Sequence, residues 1–181
     1  MANNIDGLIQ AYDKVVSGKW QKTLSAQERI WFLVYDPDNQ RKIDFRLSDF
    51  ENVTKRAGKK WVNISLKDCF PDWMASHEYR DEYFQDPDAL IDQLEFDFKK
   101  FTIESIIQKI HEQQTDNKTV VAFANVASLF GFTRLSDILN HVAGEVKGRL
   151  LVFFPGEFEK NQFRLLNARD GWSYLARPIT T

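Results

Sequence analysis

"RIWFLVYDPDNQ", residues 29–40, is the stretch on which the fold turns. Ile30 to Tyr35 are apolar without interruption, and so short and continuous a run fits a β-strand buried on both faces, as inside a parallel sheet. Asp36-Pro37-Asp38-Asn39-Gln40 closes it with turn and helix-cap residues, and Ile43, Leu47, Phe50 and Ala57 then keep helical spacing as far as Gly58. "WVNISL" follows, short and alternating, with Trp61 or Val62 and Ile64 or Leu66 facing inward. Strand, helix and strand in that order make a β-α-β unit.

Upstream, Ile5, Leu8, Ile9, Tyr12 and Val15-Val16 recur at helical spacing, which predicts an amphipathic helix over about residues 4–17, ending near Gly18. Downstream, Lys67 to Gln85 is rich in aromatics and interrupted by Pro71. Helix resumes after Asp86-Pro87, with Leu90, Leu94, Phe98 and Phe101 on one side, and again from Thr102 with Ile103, Ile106, Ile107 and Ile110. "TVVAFAN" reads as a third strand, "RLSDILNHVAGEV" as a helix with Leu135, Ile138, Leu139, Val142 and Val146 on one face, and "RLLVFF" as a fourth strand. The tail, "NQFRLLN" and "WSYLARPI" around "ARDG", is expected to form a hairpin over about residues 161–179 with Asp170-Gly171 at its turn. Strands alternating with helices predict an α/β fold: a mostly parallel central sheet flanked by helices, three layers of P-loop or Rossmann type, with an antiparallel C-terminal edge hairpin.

The chain has 181 residues, 43% of them hydrophobic, which suits one domain over residues 1–181 with a single sizeable core. A formal net charge of -2 gives no global drive toward nucleic acid or an anionic membrane. The single cysteine, Cys69, excludes an intramolecular disulfide and a Cys-rich zinc site, and fits a reducing cytoplasm. "MANN" lacks the basic start and apolar core of a signal peptide, and "VVAFANVASLFGF" is too short and too interrupted to span a membrane. The expectation is a cytoplasmic protein without a membrane segment.

In an open parallel sheet, ligands bind beyond the carboxyl ends of the strands. The first such end carries no Gly and no Lys, so a phosphate loop is not expected in the standard place. It carries Asp36 and Asp38 instead. Asp36-Pro37-Asp38 resembles the paired aspartates of haloacid-dehalogenase-like phosphatases, but Asn39-Gln40 stand where a hydroxyl is needed and no distal acidic pair for magnesium is evident. A turn that caps the next helix is the simpler reading. His77, His111 and His141 match no metal spacing, and no G-x-S-x-G occurs. The residues therefore point to no catalytic, cofactor-binding or metal site.

Charge is distributed unevenly. Residues 41–60 hold seven basic and three acidic side chains, with Lys55, Arg56, Lys59 and Lys60 clustered at an expected helix end, where cations suit the helix dipole or make a patch for an anionic partner. Residues 78–97 hold eight acidic side chains against Arg80, read as a solvated helix face. Arg134 follows the third strand at the start of a helix, placed to contact an anion or a partner, or to lie over Phe132. Trp73, Tyr79, Tyr83 and Phe84 form either an interaction patch or a lid over the core. Pro155-Gly156 is expected to end a buried strand and redirect the chain into the tail; Glu157 and Glu159 beside it argue against a phosphate cradle.

"WFLVYDPDNQ" after an N-terminal helix, "GKKWVNISL", "ANVASLFGFTRLSDILNHV" and above all "GRLLVFFPGEFEKNQFRLLN" with a closing "YLARPI" resemble the BrxB family of bacteriophage-exclusion (BREX) defence loci. The features of that resemblance fall on Asp36 and Pro37, on Arg134, Leu135, Ile138 and Leu139, on Phe153, Phe154, Pro155, Gly156, Glu157 and Phe158, and on Tyr174 and Arg177. Leu166-Asn167 and the Tyr174-Leu175-Ala176-Arg177 ending depart from the family pattern. The resemblance implies a P-loop-like domain without its phosphate loop, serving as a non-catalytic accessory subunit with no cofactor. It also implies protein partners from the same locus, foremost an alkaline-phosphatase-like protein of the PglZ type and a large ATPase. Homodimerisation, a phosphohydrolase using Asp36 and Asp38, and nucleic-acid binding through the basic cluster stay open as alternatives.

Overall fold

A computed structural model describes residues 4–169 and 171–181. Helix α1 (Ile5–Ser17) starts where the Asn4 side chain accepts a hydrogen bond from the Asp6 N–H at 3.1 Å, which satisfies one of the free donors of the first turn. Strand β1 (Ile30–Tyr35) follows, then α2 (Gln40–Phe45), α3 (Leu47–Arg56) and β2 (Lys60–Ser65). The next crossover is long: α4 (Cys69–Ser76), α5 (Arg80–Gln85), the single turn α6 (Ile91–Gln93), a π-helical segment at Leu94–Phe98, and α7 (Lys99–Glu112). Strand β3 (Thr119–Ala124), α8 (Leu135–Val142), β4 (Arg149–Glu159), β5 (Gln162–Leu165) and β6 (Arg177–Ile179) complete the order.

The strands run β2-β3-β4-β1-β6, all parallel, with β5 antiparallel on β4 beyond the main sheet. Every residue of β1 and β3 is buried, which explains their unbroken apolar sequences; β2 lies at an edge and is only partly buried. Pleating sends successive side chains to opposite faces. Trp31, Leu33, Tyr35, Leu151 and Phe153 thus meet Leu8, Tyr12 and Val16 of α1 and Phe50 and Val53 of α3. Phe32, Val34, Val121, Phe123, Val152 and Phe154 face the other way, against Trp73, Phe98, Ile106, Ile110, Ile138 and Leu139. The result is a three-layer α/β arrangement with two cores separated by one sheet. Each large side chain fully withdrawn from water contributes about 1.5–3 kcal/mol, so the two faces together hold the sheet in place.

The path of the chain explains the layers. From β1 the chain crosses over α2 and α3 to β2, three places away, then steps back through β3 and β4 to β1's side. Crossovers of one hand that travel in opposite directions lie on opposite faces. The expected β-α-β unit is therefore present as parallel strands that are not neighbours.

Three local expectations change. Pro71 does not interrupt α4; it is the helix's third residue, in the first turn, where its missing N–H removes no helical bond. Pro155-Gly156 does not end β4, which continues to Glu159 and forms the first arm of a hairpin with β5 through Lys160-Asn161. In the tail, Phe163 and Trp172 pair antiparallel in a single bridge, but β6 pairs parallel with β1, Phe32 lying beside Pro178. The tail strand extends the ladder of β1, whose outer edge is otherwise unpaired, instead of closing a local hairpin. Asp170, expected at a turn with Gly171, lies outside the described residues.

Candidate functional site

At the carboxyl end of β1, the Asp36 carboxylate accepts a hydrogen bond from the Asp38 N–H at 2.9 Å, and Pro37 opens a 3-10 turn, Pro37–Asn39, that leads into α2. Asp36 is thus a cap: its carboxylate binds the Asp38 backbone and forms no pair with the Asp38 side chain. Behind it runs a chain of polar groups. The Tyr35 hydroxyl donates to Gln40 Oε1 at 2.6 Å, Gln40 Nε2 to Asp44 Oδ1 at 2.9 Å, Asn125 Nδ2 to the same Asp44 oxygen at 3.2 Å, and Ser65 Oγ to Asn125 Oδ1 at 2.9 Å. This network joins the carboxyl ends of β1, β3 and β2 across the edge where an α/β enzyme of this type holds its ligand. Burial raises the Tyr35 phenol well above its ordinary value, the Asp44 charge adds to the rise, and the bond to Gln40 opposes it. Asn125 turns the chain with φ 59°, a left-handed conformation that asparagine tolerates better than most residues. Its place after an apolar strand is the one signal by which the sequence marks it.

At the end of β4 the six signature residues are divided between the faces. Phe153 packs edge-on against Phe50 at 5.0 Å, and Phe154 stacks on Phe32 at 5.1 Å. The Pro155 carbonyl accepts the Leu166 N–H at 2.9 Å. Gly156 faces β5 so closely that a Cβ there would lie 2.0 Å from the Arg164 carbonyl oxygen. Glu157 pairs with Arg164 at 3.3 Å, and Phe158 meets Phe163 at 4.6 Å. The segment is a hairpin scaffold that brings Phe163 against Phe32 at 4.5 Å.

Between this hairpin and the start of α8 lies a cavity of about 710 Å³ whose walls include Phe130, Phe132 and Trp172 and whose polar lining includes Thr133, Arg134 and Arg169. Arg134 is exposed, caps α8 with its backbone, and neither it nor Arg169 forms an ion pair among the described residues. Glu95, also in the lining, is held by Lys99 at 2.9 Å. Thr133 Oγ1 is buried without a hydrogen-bond partner. Arg169 and Trp172 reach this place through the tail, which no local pattern ties to α8.

The basic cluster divides. Lys55 pairs with Glu51 at 2.6 Å, Arg56 with Asp13 at 3.4 Å and Lys60 with Asp116 at 2.5 Å, while Lys59 lies over the Trp20 ring at 4.2 Å. Of the four aromatics singled out, Trp73 is core and donates to Asp97 at 3.1 Å, and Tyr83 packs against His77 at 5.0 Å. Tyr79 and Phe84 stay in solvent; Ile91 and Phe96, which the sequence reading did not flag, join them. The histidines have separate partners: His77 lies 3.2 Å from Asp97, His111 lies 2.7 Å from Glu145, and His141 is bonded to the Asp137 carbonyl. Among the described residues no three His, Cys, Asp or Glu side chains converge as a metal-binding group. Cys69 is buried, and that burial raises its thiol, which disfavours the nucleophilic thiolate. No helix among the described residues is long and apolar enough to cross a membrane.

A family model described as BREX protein BrxB matches residues 63–177, more than half of the chain, from within β2 to the first residue of β6. Arg134, the hairpin and the cavity lie within the matched span; Asp36, Pro37 and the basic cluster lie before it. No curated protein and no solved structure gives a significant match.

Proposed function

Because the chain belongs to the BrxB family and is thereby a component of a BREX phage-defence system, we propose that it is a non-catalytic accessory or assembly subunit acting through protein–protein contacts. The observation that carries this reading is the acidic segment between β2 and β3, where Phe84, Ile91 and Phe96 are 69%, 62% and 76% exposed. Large apolar side chains rimmed by carboxylates are the surface that a protein partner covers, because withdrawing them from water drives association while the charges set its specificity. The carboxyl edge supports the non-catalytic part of the reading, since Tyr35, Gln40, Asp44, Asn125 and Ser65 are engaged with one another and Asp36 is taken up as a cap. Partners from the same locus fit best, a PglZ-type alkaline-phosphatase-like protein and the large ATPase foremost, in the cytoplasm. Arg134, with its unpaired charge beside the cavity, is a second candidate contact.

Affinity purification of the tagged chain from a host carrying the whole locus tests the proposal. A phosphatase-like or ATPase partner is expected in the eluate, and Phe84→Asp combined with Phe96→Asp is expected to remove it while circular dichroism stays unchanged. Recovery of the chain alone would count against the reading. The phosphohydrolase alternative makes the opposite demand: magnesium-stimulated turnover of a phosphoester that disappears in Asp36→Asn.

A further inference from the structure

The amino edge of the sheet, opposite the polar network, carries a hollow of about 450 Å³ in which cations from distant parts of the chain converge. Each of the first four strands brings one at or just before its first residue: Arg29 for β1, Lys59 for β2, Lys118 for β3 and Arg149 for β4. Lys19, Lys22 and Lys147 add to the wall, and no Asp or Glu lines it. Parallel pairing creates this convergence, because strands in register present all their amino ends on one side. Gly148 tightens it: a Cβ there would lie 2.0 Å from the Thr119 carbonyl oxygen, so only glycine lets the starts of β3 and β4 approach so closely.

The floor is built rather than incidental. Arg149 is only 5% exposed, with Nη1 donating to the Gly148 carbonyl at 3.0 Å and Nη2 to the Gln21 carbonyl at 2.9 Å. Its guanidinium lies over the Trp20 ring at 4.8 Å, the same ring that Lys59 approaches. Arg29 donates to the Lys147 carbonyl at 3.2 Å and keeps a buried Nε without a partner. Burial and the nearby Arg29 both weaken the hold of Arg149 on its proton. None of the seven cations forms an ion pair among the described residues. The ends of α1 and α3 supply only about half an elementary charge of negative potential each, far short of seven positive charges. A buried guanidinium without a carboxylate is costly unless an anion completes it.

We propose that this hollow binds a phosphate-bearing polyanion, its oxygens meeting the guanidinium protons of Arg149 and Arg29 at the floor and the lysines at the rim. Fork-shaped guanidinium donors match phosphate oxygens, and a 450 Å³ hollow fits a short run of phosphates. The site is independent of the partner surface proposed above. Lys55, Arg56 and Lys60, paired with carboxylates, have no part in it.

Calorimetric titration of the full chain with inorganic tripolyphosphate in about 50 mM salt tests the site. One saturable binding event is expected, weakening as salt rises and falling about tenfold or more in Lys59→Glu with Lys147→Glu, while Lys55→Glu with Arg56→Glu leaves it unchanged. A single-stranded oligonucleotide that competes with tripolyphosphate identifies backbone phosphates as the source; tripolyphosphate binding without such competition identifies a small oligophosphate. No saturable binding of either probe, or equal loss in both charge-reversal pairs, overturns the proposal.

Discussion

Gly156 shows how one residue type serves different physics in similar settings. After a buried strand of an α/β sheet, glycine often admits a phosphate; here it admits the backbone of β5, whose Arg164 carbonyl would lie 2.0 Å from any Cβ. Gly156→Ala is therefore expected to lower stability by about 1–3 kcal/mol, seen as a lower urea midpoint with an unchanged slope. Phe163, fully buried and in contact with Phe32, Phe154, Phe158 and Trp172, is the residue that this approach serves. Phe163→Ala is expected to cost about 3–5 kcal/mol and to loosen the hairpin, so that limited proteolysis cuts near residues 158–163. A midpoint within experimental error of the parent protein would show that the hairpin is not anchored through this ring.

Among the elements, the β4–β5 hairpin turns through Lys160 and Asn161, both with positive φ, at 51° and 62°. Those are the φ signs of a type I′ turn, which favours Asn-Gly. Lys160→Asn with Asn161→Gly relieves the left-handed backbone and is expected to raise stability by about 0.5–1 kcal/mol, measured by the same urea titration; a decrease would mean that the Lys160 side chain contributes more than its backbone costs. The elements also differ in how far the sequence disclosed them. Strands β1, β3 and the first part of β4 were legible because burial on both faces leaves an unbroken apolar run. Strand β6 was not: three residues including Pro178 have no pattern of their own, and their strand character comes from lying beside β1. The sequence pattern after Asp86-Pro87 suggests one helix to Phe101 and another from Thr102; the structure instead has a 3-10 turn, a helical turn and a π-helical segment up to the buried Phe98, then α7 unbroken from Lys99. At the carboxyl edge the capping role of Asp36 could be read from Asp-Pro-Asp-Asn; the Tyr35–Gln40–Asp44–Asn125–Ser65 network could not, because it joins three strands.

For the whole molecule, a formal charge of -2 conceals a basic amino edge and an acidic segment between β2 and β3. The basic residues of 41–60 are visible along the chain and most of them are held in ion pairs, whereas the hollow is assembled by strand register and leaves no run in the sequence. Stability as a whole should also be sensitive to base. Burial raises the phenols of Tyr12 and Tyr35 well above their ordinary value near 10, despite hydrogen bonds that oppose the rise, and pushes Tyr174 up to about 12. The folded state holds these protons more tightly than the unfolded chain does. Their contribution is thus complete below pH 10 and is lost as pH rises through the raised folded values. Phenolate absorbance for these three tyrosines is expected to appear together with loss of circular dichroism; phenolate formation in a chain that stays folded would contradict it.

Strand β1 has one further consequence, for synthesis. Its neighbours are β4 and β6, supplied by residues 149–155 and 177–179. A ribosome therefore releases the most apolar strand of the protein long before either flank exists, and the nascent chain carries Ile30–Tyr35 unpaired while more than a hundred residues are added. Pairing between distant segments is slow to form and vulnerable to aggregation meanwhile. Of the strands, β1 is made first and flanked last, so a pause in translation before residue 149 prolongs its exposure.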